Sequence, residues 1–400
     1  MSRAGRIAAR GAILALALVL AAKVTLDGLA TRFETRDPLL AAEFAPDNAE
    51  IAVAAAAKRA GANSGTRDPR VRRLVSSALA RGVAEPPAIE FRALEAGADG
   101  DIRREAALFR LSDAISRRSL PTRLWLIQDA VQRGDVAGAL GNFDIALRTS
   151  TDAPATLFPI LAYATADPTL SVPLARLFDR PSDWRALFFH FAIDADAAPG
   201  LARVVPLMRD SAWIKRNGID DSLIGRLVAD GDFAAARRIY RLYHHDRRPG
   251  ALIRDGDFAD AGAVFPFGWQ FVQKGEIGAE RSLIGGRPML AFQALSGGDG
   301  VVASQLLMLP PGRYRLSIRT GATSTDADAP PYWTITCADG RGQQIALLDM
   351  SVVKDGIVSA SFAVPDVCAA QWLAMALRGS DNPGGQAGAV AAVAVASAAP

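Results

Sequence analysis

The sequence predicts a multidomain chain of class α then β: an N-terminal membrane helix, an α-solenoid and a C-terminal antiparallel β-sandwich. Three observations carry this expectation. A cationic N-terminus runs into an apolar stretch; apolar residues then recur at three-to-four spacing as far as about residue 245; and from about Asp255 Gly, Val, Ser and Pro rise while apolar residues alternate with period two. The 400 residues, half of them apolar, exceed what one core usually serves, so separate units are expected over 1–30, 46–245 and 250–400.

Arg3, Arg6 and Arg10 precede the run from Gly11 to Ala22, which Lys23 closes. Cationic flanks stay cytoplasmic, which puts the chain at the inner membrane, single-pass, with its bulk in the periplasm. The apolar run is shorter than the ~20 residues that span a bilayer, and Val19-Leu20-Ala21 offers a small-x-small cleavage site. A cleaved signal peptide releasing the chain into the periplasm is therefore the alternative. The anchor is preferred because Lys23 can snorkel while Val24 to Leu29 extend the apolar stretch.

The formal charge is +3, but the arginines are scattered among acids, as in Arg67-Asp68 and Arg103-Arg104-Glu105. A nucleic-acid site needs a clustered basic stripe, and none is present, so no nucleic-acid partner is expected. The 2 cysteines, Cys337 and Cys368, lie in the C-terminal half. In an oxidising compartment they suggest one disulfide worth about 3 kcal/mol, with two buried thiols as the alternative.

The helical region begins at Asp68-Pro69, with Asp at the cap and Pro at the first helical position, followed by the stripe Leu74, Val75, Ala78 and Leu79. Leu108, Leu111, Ala114 and Ile115 repeat that spacing, as do Leu124, Ile127, Ala130 and Val131. The turns Gly100-Asp101 and Gly134-Asp135 are 34 residues apart. Gly134-Asp135-Val136-Ala137-Gly138-Ala139-Leu140 with Phe143, Ala146 and Leu147 resembles the second helix of a tetratricopeptide repeat, a family with that period. Gly231-Asp232-Phe233-Ala234-Ala235-Ala236 with Tyr240 resembles the same half-repeat. The first helix before Gly134 keeps Leu126 but lacks the family's Gly and Tyr, and Asp167-Pro168, Val172-Pro173 and Arg180-Pro181 interrupt the stretch between. The resemblance implies a degenerate solenoid of about five helical hairpins whose concave face docks a protein partner, or which serves only as a spacer or platform.

In the last third, Pro311-Gly312 suits a tight turn, and Tyr314, Leu316 and Ile318 alternate with Arg313, Arg315, Ser317 and Arg319, giving a strand with one buried and one wet face. Further strands are expected at 332–337, 345–350, 357–364, 372–377 and 390–395. Asp255-Gly256-Asp257-Phe258, then Phe265-Pro266-Phe267-Gly268-Trp269, then Ser304 to Ile318 with Gln305 inward, resemble the jelly-roll carbohydrate-binding modules. Those modules commonly hold a structural calcium with an acid after the Phe and another on the last strand. Here Ala259 stands at the first position and the Ala-Val tail lacks an Asp, so calcium is not expected, although Asp260 could substitute. The resemblance implies glycan contact through exposed aromatics. Tyr332 and Trp333 are the candidates, since neighbours on a strand face opposite ways and one must point outward. Trp269 is expected in the core.

Catalytic chemistry is not evident. His190, His244 and His245 are the only histidines; His244-His245-Asp246 invites a metal reading, but vicinal helical side chains diverge and no ligand follows at i+4, so a helix end is expected. No Gly-x-Ser-x-Gly elbow or phosphate loop occurs, and Gly285-Gly286 and Gly297-Gly298 suit hairpin turns. The sequence therefore points to a non-catalytic cell-envelope scaffold or binding protein without cofactor. Its helical array would dock an envelope protein, its sandwich a polysaccharide, and the paired resemblances imply exopolysaccharide assembly or export. A purely structural interaction protein is the alternative. A glycoside hydrolase is the third class, and would require two carboxylates about 5 to 9.5 Å apart.

Overall fold

The computed structural model describes residues 23, 25–26, 29–30, 32–33, 35–45, 48–63, 68–80, 85–244, 250–260, 262, 264–324, 328–351 and 356–398. The apolar run expected to enter the membrane lies outside the described residues. Among the described ones, no helix is long and apolar enough to cross a membrane.

The chain forms two compact units: residues 1–158 with 182–184, and residues 159–181 with 185–400. The division falls elsewhere than the change from helix to strand, because the helices from 159 to 243 belong with the sandwich.

The first unit comprises α1 (Pro38–Phe44), α2 (Ala49–Asn63), α3 (Pro69–Ala80), α4 (Pro86–Ala98), α5 (Ile102–Ile115), α6 (Leu120–Gln132), α7 (Val136–Thr149) and the start of α8 (Ala153–Ala164). Helices α2 and α3, α4 and α5, and α6 and α7 pack in pairs. The turn chemistry explains the last two pairs. Gly100 and Gly134 take positive φ, +82° and +70°, which glycine adopts without a Cβ penalty. The next residue then caps the following helix: the Asp101 carboxylate accepts from Arg104 N and the Asp135 carboxylate from Gly138 N. Gly231-Asp232 in the second unit repeats this, with Asp232 accepting from Ala235 N.

The tetratricopeptide resemblance goes no further than these turns. Between α8 and the Gly231 turn the helices are only 6 to 11 residues long and are interrupted by 3-10 turns at Pro168–Leu170 and Val205–Leu207, where proline withdraws a backbone donor. The expected apolar stripe on α5 is also displaced. Phe109 and Ser112 are buried, whereas Leu111 and Ile115 are exposed. A polar network sets this rotation: buried Glu90 accepts from Ser112 Oγ at 2.9 Å and Thr122 Oγ1 at 2.6 Å, while Phe109 stacks on Trp125 at 4.9 Å.

The second unit continues with α9 (Ser171–Phe178), α10 (Trp184–Asp194), α11 (Ala198–Val204), α12 (Ser211–Arg216), α13 (Ile219–Ala229) and α14 (Phe233–Tyr243), followed among the described residues by eleven strands. β1 (Gln270–Phe271), β5 (Gly300–Leu307), β10 (Gln371–Leu377), β7 (Tyr332–Cys337) and β8 (Gln344–Asp349) form one antiparallel sheet in the order β1-β5-β10-β7-β8. β2 (Gln273–Lys274), β3 (Ile277–Ile284), β4 (Arg287–Ala294), β11 (Gln386–Ser397), β6 (Gly312–Ser324) and β9 (Ile357–Val364) form the other, in the order β2-β3-β4-β11-β6-β9. One core lies between them, with Phe292, Leu316, Ile318, Trp333, Ile335, Leu373 and Met375 among its members. Gly285 and Gly286, both at positive φ, turn β3 into β4.

The segment before β1 is bound to the sheets by side chains. Gln305, fully buried, accepts from Arg254 N at 3.2 Å and donates to Arg254 O at 2.8 Å. Gly256 lies so close to β11 that a Cβ there would be 2.2 Å from Val393 O. The Asp255 side chain is buried beside Arg281 at 2.6 Å, and that burial raises its pKa above the ordinary 3.8 despite the partner. Against the segment packs α14, whose Tyr240 meets Phe267 edge-on at 5.0 Å.

Candidate functional site

The outer face of the β1-β5-β10-β7-β8 sheet follows from alternation along β7 and the first half of β10, up to the bulge at Met375–Ala376. On β10, Gln371, Leu373 and Met375 are buried, so Trp372 and Ala374 point the other way. On β7, Trp333, Ile335 and Cys337 are buried, leaving Tyr332, Thr334 and Thr336 outward. The register sets Trp372 between Leu306 and Thr336, and Ala374 between Ser304 and Thr334. Leu306 is buried beneath the segment at Pro266, whose carbonyl accepts from its N–H, and Ser304, Ala374, Thr334 and Thr336 form the half-buried floor beyond it.

Aromatic rings stand at its two ends. Phe265 is 38% exposed and its ring lies parallel to that of Trp372 at 5.7 Å and 12°. Tyr332 is opposite Ala376 and Trp372 opposite Thr336, so the two aromatics are four residues apart along the strands. At a rise of about 3.4 Å per residue that is roughly 14 Å, the reach of a short oligosaccharide. Beside Tyr332, the Arg378 guanidinium lies over its ring at 4.3 Å, pairs with Asp349 at 2.5 Å and donates to Pro330 O at 2.6 Å. Flat apolar rings flanked by a fixed donor and a carboxylate suit sugars, whose C–H faces stack on aromatics while their hydroxyls seek polar groups.

The two residues read from the sequence therefore part company. Tyr332 is on the outer face, half-buried. Trp333 is fully buried, meets Trp269 edge-on at 5.9 Å, and belongs to the core. A sugar cannot stack on it. The sequence places Phe265 only within the jelly-roll motif and Trp372 only at the start of a strand, neither as a ligand contact, although alternation carries the signal for Trp372: it is out of phase with Leu373, Met375 and Leu377. Phe265 precedes the strands, and nothing in its spacing marks it.

Cys337 and Cys368 are disulfide-bonded, Cα atoms 5.5 Å apart, and Cys337 sits directly opposite Gln371. Gln371, buried, accepts from Leu309 N at 2.9 Å and donates to Cys368 O at 2.8 Å, so the start of the strand bearing Trp372 is held on both sides.

The opposite face of the sandwich differs in chemistry. Arg313, Arg315 and Arg319 are exposed on β6, alternating with buried Tyr314, Leu316 and Ile318, as the sequence pattern implied. Among the described residues, its β6 edge presents these cations.

No family model matches the chain, and no curated protein matches it. Among solved structures, the chain is similar to TmCBM61, a carbohydrate-binding module solved in complex with β-1,4-galactotriose. The TM-score is 0.27 and the identity 13%, over 37% of this chain and 99% of that one. It is similar at the same TM-score of 0.27 and 13% identity to the enzymatically active domain of bacteriophage CBA120 tailspike protein 4, over 37% of this chain and 21% of that one.

Proposed function

We propose that this chain is a non-catalytic cell-envelope protein that binds a glycan on the aromatic outer face of the β1-β5-β10-β7-β8 sheet. The observation that supports the reading most is the stacked Phe265–Trp372 pair, with Tyr332 and Arg378 four residues further along the same face. Phe265 is exposed and Trp372 is half-buried beneath it, and a sugar is a ligand whose C–H faces match such a pair of rings. On this reading the N-terminal segment anchors the chain to the inner membrane with its bulk in the periplasm, and the helical region couples the glycan to a protein partner. A role in exopolysaccharide assembly or export follows as the broader proposal.

Docking of a partner by the helical region has support of its own. Leu111 and Ile115, one turn apart on α5, are 49% and 41% exposed. Val131 on α6 is 62% exposed, so the first unit carries apolar side chains that its own core does not use. A scaffold that binds protein alone would rest on these residues and leave the sheet face idle. A panel of neutral and acidic bacterial polysaccharides, tested against the chain and Trp372→Ala, separates the two: retention lost in the variant supports a glycan module, and no retention by either supports the protein scaffold.

A further inference from the structure

A second cluster lies in the helical part of the second unit, remote in chemistry from the sheet face. Gly218, at φ +63°, precedes α13, and Asp220 and Asp221 occupy that helix's first turn, where orphaned backbone N–H groups favour carboxylates. His244 ends α14: its N–H donates to Tyr240 O at 2.9 Å and its ring stacks on Tyr240 at 4.5 Å. The sequence marks His244 only as a helix end, and it is one. What the sequence does not show is that α13 packs on α14 and brings two carboxylates to the imidazole.

His244 Nε2 is 3.4 Å from Asp220 Oδ2 and 3.4 Å from Asp221 Oδ1, and the three groups' ligand atoms lie within 4.8 Å of one another. Asp220 is 1% exposed and His244 7% exposed. Among the described residues, neither Asp220 oxygen accepts a hydrogen bond and His244 Nε2 makes none. Both separations exceed the ~2.9 Å of an N–H···O bond, and a buried carboxylate without donors is costly.

We propose that Asp220, Asp221 and His244 bind a divalent first-row cation, of which zinc fits best. Metal–ligand bonds of about 2.1 Å at a tetrahedral angle put neighbouring ligand atoms about 3.4 Å apart, which matches both nitrogen–oxygen separations here. Octahedral coordination at the same bond length would bring them to about 3.0 Å. Imidazole beside carboxylate selects zinc over calcium or magnesium, and two carboxylates with a neutral imidazole balance a dication's charge. Three protein ligands leave the fourth position to water. The ion would tie the N-terminus of α13 to the C-terminus of α14 and satisfy the oxygens that now lack donors. The inference is independent of glycan binding.

The test is zinc titration of the chelator-treated full chain, free of any histidine tag, by calorimetry, with metal content read after gel filtration. One zinc per chain is expected, with a rise in melting temperature on zinc addition that a chelator reverses. Asp221 is the variant of choice because its side chain is 53% exposed, so Asp221→Asn should fold normally. Asp221→Asn and His244→Gln should each weaken binding at least about 100-fold, since each removes a direct ligand. If His244→Gln fails to fold by circular dichroism, Asp221→Asn decides alone. No zinc retained by the parent chain, or zinc retained equally by folded Asp221→Asn, overturns the proposal and leaves a histidine–carboxylate pair.

Discussion

Trp333 tests the division of the two tryptophans between core and surface. It is fully buried, sits edge-on to Trp269, and its indole Nε1 has no hydrogen-bond acceptor among the described residues. Truncation to Ala removes the whole ring from a closed core, for which aromatic deletions cost about 3 to 5 kcal/mol. Trp333→Phe behaves differently. A residual cavity of roughly 40 Å³, at about 24 cal/mol per Å³, costs about 1 kcal/mol. Against this, the variant removes a buried donor without a partner, whose desolvation is worth about 1 to 3 kcal/mol. The two terms offset, so Trp333→Phe is expected within about 1 kcal/mol of the parent while Trp333→Ala loses about 4 kcal/mol. Urea unfolding followed by circular dichroism in the strand region measures both. A Phe variant as unstable as the Ala variant would refute the reasoning, by showing that the indole N–H has an acceptor that the structure does not show. An Ala variant within 1 kcal/mol of the parent would refute the core assignment itself.

Three further outcomes follow from the sandwich. Cys337→Ser with Cys368→Ser opens a bridge of sequence separation 31, for which loop entropy predicts a loss of about 3 to 4 kcal/mol in non-reducing urea melts; a loss below about 0.5 kcal/mol would contradict it. Gly256→Ala should destabilise by more than 2 kcal/mol, since the clash is with the backbone carbonyl of Val393, which cannot rotate away; a melt unchanged from the parent's would mean the segment before β1 is not seated on β11. Burial raises the folded-state pKa of Asp255 above 3.8, so its protonated form favours folding: its contribution is fully present below about pH 3.8 and is lost as pH rises through the raised value. Asp255→Asn should flatten the fall in stability from pH 4 to 7, and superimposable pH profiles would count against a raised pKa.

Much of the sandwich was legible because its signals are local. The alternation around Tyr314 fixed which residues face inward, and the expected strand at 357–364 agrees with β9. The helical half was harder because helix rotation depends on tertiary partners. Leu108, Leu111 and Ile115 read as a core stripe, yet the Glu90–Ser112–Thr122 network turns the other side of α5 inward. Buried polar residues carry no hydrophobic signal, so no spacing rule finds them. The candidate site shows the same divide. Alternation separates Tyr332 from Trp333 but does not say which of them faces out, and that follows only once Trp269 and Ile335 are placed in one core. Phe265 meets Trp372 across 107 residues of sequence, and His244 meets Asp220 through helix pairing. Neither pair has a sequence signature.

The most direct measurement of the central claim is retention of the folded chain on immobilised bacterial polysaccharides, with Trp372→Ala and Phe265→Ala beside Trp333→Phe. The account predicts that at least one polysaccharide retains the parent, that both surface variants lose retention while melting like the parent, and that Trp333→Phe keeps it. Retention unaffected by Trp372→Ala and Phe265→Ala would place any glycan site elsewhere and contradict the account.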